Sequence, residues 1–139
     1  MRHLTTEVAV VGGGPAGLTA AIALASAGIE TALIAKNRSA PDHRTTALLA
    51  SSVRALDTLG VWDNCREHAA PLRVLRIIDD TARLLRSPEV RFAASEIGLD
   101  AFGCNIENRF LTAGLATRAN ALATLTRIED EATVGRDRT

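Results

Sequence analysis

Aromatic side chains are scarce in this sequence, at 3%, and tyrosine is absent. Any core must therefore rest on Ala, Leu, Ile and Val. Net charge is also missing, because 16 basic and 16 acidic residues cancel. That balance argues against a nucleic-acid-binding face, which would need clustered positive charge. No apolar run approaches the roughly 20 residues that span a bilayer. The N-terminus passes from Met1 into a predicted strand without the apolar stretch of a signal peptide. Cysteine is limited to Cys65 and Cys104, far apart and without metal-ligand spacing, which predicts reduced structural thiols in a cytoplasmic protein. His3, His43 and His68 have no metal partners at usable spacing, so no metal site is expected.

What is present suits an α/β domain of ordinary composition, with 47% hydrophobic and 23% charged residues in 139. Glu7 to Val11 is a β-branched run that reads as a buried parallel strand. Leu18 to Ala27 is rich in Ala and Leu and stops at Gly28, and Thr31 to Ala35 gives a second strand. Strand, turn, helix and strand within about 30 residues make a βαβ unit. Lys36 to Arg44 reads as loop. From Thr46 onward Leu48, Leu49, Val53, Leu56 and Leu59 recur at helical spacing until Gly60, and Trp62 to Ala69 reads as a short helix ended by Pro71. Leu72 to Ile78, Arg83 to Leu85 and Val90 to Phe92 read as strands of a small antiparallel excursion around a turn at Asp79-Asp80. Asn108 to Ala123 returns to helix, and Leu125 to Ile128 begins another core strand. The division expected is 1–71 for the first part of a nucleotide-binding domain, 72–98 for the excursion and 99–139 for the domain continued.

The turn after the first strand carries G-x-G-x-x-G at Gly12, Gly14 and Gly17. Gly12 permits the sharp exit from the strand, Gly14 leaves room for a pyrophosphate against the backbone, and Gly17 lets helix and strand approach closely. Pro15 and Ala16 open the helix, whose first N–H groups and dipole favour phosphate. The strand before and the helix and strand after supply the context that makes this spacing informative. An acid that should hydrogen-bond the ribose about 20 residues on is missing, however. The second strand ends instead on Ala35 and Lys36, so the ribose must be held by backbone or by a side chain from elsewhere.

Asp42-His43-Arg44-Thr45-Thr46-Ala47-Leu48 resembles the D-x-R-x-x-A-L segment of the ubiquinone-biosynthesis hydroxylases, flavoprotein monooxygenases of the para-hydroxybenzoate hydroxylase type. The likeness continues through Ser51-Ser52, Leu59 to Trp62, Ser95 to Gly98 and Ile106-Glu107-Asn108. The resemblance implies a Rossmann-like FAD-binding core and FAD as cofactor. NADH or NADPH would supply the electrons, and one oxygen atom would pass to a phenolic, in some members prenylated, substrate. It implies that Arg44 lies near the flavin and that Asn108 enters a flavin-facing helix. No residue of this chain stands out as a catalytic acid, base or nucleophile, which suits chemistry borne by a cofactor.

Alternatives stay open at each residue. Arg44 could be a solvated loop charge, Asn108 a helix N-cap, and Asp42 a turn residue. The family's second flavin motif, of the G-D-A-A-H type, and most of its substrate sheet have no counterpart here. The expectation is thus an apparently truncated N-terminal portion, inactive alone and prone to self-association through exposed apolar surface. Peripheral contact with the inner membrane is left open for the intact enzyme. An NAD(P)-dependent dehydrogenase and a non-catalytic nucleotide-binding module are the other two readings.

Overall fold

A computed structural model describes residues 4–36, 42–133 and 135. In chain order the elements are β1 (Val8–Val11), α1 (Pro15–Ser26), β2 (Thr31–Ile34), β3 (Thr45–Leu49), α2 (Ala50–Thr58), β4 (Ala69–Pro71), β5 (Val74–Ile77), β6 (Val90–Ala93), β7 (Gly103–Glu107), α3 (Asn108–Asn120) and β8 (Leu125–Ile128). The strands β1, β2 and β8 form a parallel sheet in that spatial order. Pro15 opens α1 without needing an N–H partner, and Gly28, at φ +86°, leaves the helix in the left-handed conformation that suits glycine. Val8 to Ile34 therefore makes the expected βαβ unit, and α3 leads back into the sheet at β8.

Between β2 and β8 the chain departs on an antiparallel excursion. β7 pairs with both β3 and β4, while β5 and β6 form a separate two-stranded ribbon. Several sequence expectations are corrected here. Thr45–Leu49 is a strand and the helix begins only at Ala50. Leu48 and Leu49 belong by spacing to a helix, but the β-branched pair Thr45-Thr46 and the facing strand β7 hold this stretch extended. The predicted helix over 62–69 is instead two 3₁₀ turns, Trp62–Asn64 and Arg66–His68, followed by β4. Arg83 to Leu85 is irregular, with Leu84 and Leu85 fully solvent-facing. β1 is also less buried than a strand covered on both faces. Its residues alternate between half-buried and exposed, since among the described residues nothing lies on its outer edge or over its second face.

One apolar cluster joins the two larger sheets. Leu18 and Ile22 of α1 meet Leu33, Leu125, Leu111 and Leu115, and the cluster continues through Val61, Cys65 and Ile106. Close helix packing depends on small residues. Ala21 and Ala25 of α1 are buried, and a side chain at Gly114 of α3 would press on Cys65 Cβ at 3.1 Å. Cross-links reinforce the cluster: Thr124 Oγ1 donates to the Ala25 carbonyl at 2.8 Å, and Arg118 Nε donates to the Leu59 carbonyl at 2.8 Å, closing the C-terminus of α2. The β5–β6 ribbon stands outside this core, all four positions of β5 being exposed.

Candidate functional site

In a parallel sheet all strands end on the same side, which is where ligands of such folds bind. At that end β1 runs into the glycine turn. Gly12 takes φ +117°, a conformation that side-chain-bearing residues rarely adopt, and its N–H donates to the Ile34 carbonyl at 2.9 Å, prolonging the ladder with β2. A Cβ on Gly17 would fall 1.9 Å from the Gly12 carbonyl oxygen, so Gly17 is the residue that permits the helix to start this close. Gly12 and Gly14 have open space where their side chains would be. Gly14 is the N-cap of α1 and offers no side chain to the helix's first N–H groups. These bare donors, in open space at the positive end of a helix dipole, fit a pyrophosphate. Pro15, Ala16 and Gly17 form the first turn of that helix.

The end of β2 lies beside this turn: a side chain on Gly13 would meet Ala35 Cβ at 2.7 Å. Ala35 donates its N–H to the Ile128 carbonyl at 3.0 Å, and Lys36 Nζ lies 2.9 Å from Glu131 Oε1. Lys36, just beyond β2, is thus ion-paired with Glu131 from beyond β8, and both side chains are exposed. Sequence reasoning missed Glu131, because no local spacing links positions 36 and 131; only the parallel register of β2 and β8 does. The loop expected from Lys36 to Arg44 falls partly outside the described residues, which resume at Asp42.

The second group of candidate residues gathers where β3 begins and β7 ends. Asp42 Oδ1 accepts from the Arg44 backbone N–H at 3.1 Å and from its Nε at 2.9 Å. Asp42 Oδ2 accepts from Arg44 Nη2 at 2.8 Å and from Asn108 Nδ2 at 3.0 Å. The Arg44 guanidinium, with help from the Asn108 amide, holds the Asp42 carboxyl well below the usual carboxylate range, and the carboxylate in turn raises the Arg44 pKa. Asn108 is the first residue of α3 and not its N-cap, which is Glu107 with no side-chain cap bond. Its amide oxygen accepts from the Thr46 hydroxyl. Backbone bonds from Asn108 N–H to Arg44 O at 2.8 Å and from Arg109 N–H to Asp42 O at 3.1 Å extend the β3–β7 ladder to this junction. Beside it Arg109 Nε donates to Glu107 at 2.7 Å, lowering the Glu107 pKa, and His43 Nδ1 lies 3.6 Å from the same carboxylate. Arg109 also lies over the Phe110 ring, on which His68 stacks. Asp42 is thus more than a turn residue. Its position two before Arg44 was the available signal, but the partnership with Asn108 was not.

Among the described residues no group of three or more His, Cys, Asp or Glu is placed to hold a metal ion, and no helix is long and apolar enough to cross a membrane. Cys65 and Cys104 are free thiols, and burial raises the pKa of Cys65.

Comparison with known proteins finds related hydroxylases and monooxygenases. The ubiquinone hydroxylase UbiL of Rhodospirillum rubrum is 31% identical over 126 residues, covering 86% of this chain and 28% of that protein. The 3-demethoxyubiquinol 3-hydroxylase of Escherichia coli is 34% identical over 124 residues, covering 83% of this chain and 30% of that one. The crystal structure of p-nitrophenol 4-monooxygenase PnpA from Pseudomonas putida shares the fold, with a TM-score of 0.69, 21% identity and coverage of 92% of this chain and 32% of that one. The chain thus spans less than a third of the length of each of these proteins. The described family "FAD binding domain" matches residues 5–132, and with most of its length so matched this chain belongs to that FAD-binding family.

Proposed function

We propose that this chain is the N-terminal nucleotide-holding part of an FAD-dependent, NAD(P)H-using aromatic-ring hydroxylase of the ubiquinone-biosynthesis type. The observation that carries the reading is the open glycine cradle at the ends of parallel strands, together with an arginine segment tied to the start of α3. Two ubiquinone-type relatives match more than four-fifths of the chain, which favours that branch over other phenol hydroxylases. In this reading Gly12, Gly14, Pro15, Ala16 and Gly17 receive the pyrophosphate. Ala35 and Lys36 border the adenosine ribose, while Arg44 and Asn108 stand toward the flavin end. When bound, FAD supplies the redox chemistry, and the protein's part is to bind, orient and exclude water. The substrate class proposed is an electron-rich phenol, prenylated in the ubiquinone branch. A prenylated substrate argues for a cytoplasmic protein that works at the inner-membrane surface.

Titrating the purified chain with FAD, followed by flavin fluorescence and absorbance, tests the cradle. Saturable binding is expected, and absence of binding overturns the reading. NADH-dependent oxygen uptake with phenolic substrates tests whether this chain suffices for turnover. None is expected, because the chain covers 28–30% of its ubiquinone-type relatives; hydroxylation by the chain alone would show that it does.

A further inference from the structure

We propose that Asp42 is a positioning residue for Arg44, gripping one edge of its guanidinium so that the opposite edge is presented to an anionic group of the bound dinucleotide. The inference rests on the flavin-site reading of Arg44. Its geometry comes from the carboxylate itself. Each Asp42 oxygen accepts two hydrogen bonds, three of the four from Arg44 and one from Asn108. Asn108 is held in turn by the Thr46 hydroxyl, and the Asp42 carbonyl accepts from the Arg109 N–H. The carboxylate is therefore held by the Arg44 backbone N–H just before β3 as well as by Asn108 at the start of α3. Arg44 has no comparable support, since its side chain is 78% exposed. Its Nε and Nη2 are engaged by Asp42, and among the described residues Nη1 makes no hydrogen bond. The direction of the free edge is thus set by Asp42 and by little else. A planar guanidinium gripped in this two-point fashion keeps donors available for a phosphate oxygen, which a freely rotating side chain would have to be ordered to provide.

A double-mutant cycle on FAD affinity separates this role from simple stapling of the loop to α3. Asp42→Asn and Arg44→Ala are made singly and together, with melting temperature measured in parallel. We expect Asp42→Asn to weaken FAD binding roughly fivefold, the upper range for a single exposed ion pair. In the Arg44→Ala background the same change should have no further effect, and Asp42→Glu should restore part of the loss. An equal loss in both backgrounds would mean that Asp42 acts through Asn108 and Arg109 alone, overturning the proposal. Unchanged affinity in Asp42→Asn would overturn it too, with the flavin reading intact. Failure of the parent chain to bind FAD would overturn the flavin reading first and this inference with it.

Discussion

Two glycines of one turn serve different ends, and their substitution should separate fold from ligand. Gly17 has the Gly12 carbonyl where its Cβ would be, 1.9 Å away, so Gly17→Ala must push α1 off β1. We expect a loss of about 1–3 kcal/mol in stability, the range for forced overpacking, measured by denaturant unfolding. Gly14 has open space and an extended backbone, φ −76° and ψ 175°, that alanine adopts without strain. Gly14→Ala should leave the chain folded, losing no more than about 1 kcal/mol of cap preference. It should nonetheless weaken FAD binding by about tenfold or more, because a methyl group would then stand where the proposed pyrophosphate site meets the backbone. Equal effects of the two changes on stability and on binding would refute this division of labour. The glycine pattern was legible from spacing alone, since each steric requirement acts on near neighbours. The Asp42–Asn108 bond and the Lys36–Glu131 pair were not, because their partners lie 66 and 95 positions apart and meet only through the sheets.

At the scale of elements, local pattern succeeded where an element's own neighbours determine it. The βαβ unit, α3 and β8 follow from composition and period. It failed where pairing overrides spacing. Leu48 and Leu49 lie in helical register with Val53 and Leu56, but the ladder from Thr45↔Glu107 to Leu49↔Gly103 holds them in β3. Gly103 makes that approach possible, since a Cβ there would fall 1.9 Å from the Leu48 carbonyl oxygen. β7 itself, Gly-Cys-Asn-Ile-Glu, has one strongly apolar residue and announces no strand. The hinge of the element packing is Leu115 of α3, fully buried between α1 and the turn that carries Cys65. Leu115→Ala should lower stability by about 2–5 kcal/mol, transfer and cavity terms together, with an unfolding midpoint shifted and little change in slope. A shift under 1 kcal/mol, roughly what a surface substitution gives, would contradict this placement.

At the scale of the whole molecule, the surface is the informative part. The β5–β6 ribbon exposes Val74, Leu75, Ile77, Val90 and Phe92, and β1 presents Val11, 59% exposed, on the uncovered face of the parallel sheet. An isolated two-stranded ribbon is marginal in water, and an unpaired strand edge is a template for another strand. We therefore expect the purified chain to self-associate, with a sedimentation coefficient that rises with concentration. Replacing Leu75 and Phe92 by serine should reduce that rise. A chain that sediments as a monomer across the concentration range would remove the argument. The same uncovered surface agrees with the proposal that the chain alone does not turn over, because a hydroxylating site needs walls that exclude water.

From its sequence alone, this protein's glycine turn, its βαβ unit and its relation to a flavoprotein family were determined. A turn's sterics and a helix's period act over a few residues, and a motif can be matched without folding anything. Tertiary structure decided the rest. It converted a helical leucine pattern into β3, brought Asp42 against Asn108 at the start of α3, and paired Lys36 with Glu131. Those outcomes depend on strand register between distant segments, set by the burial of one common core and by backbone pairing that no local window contains.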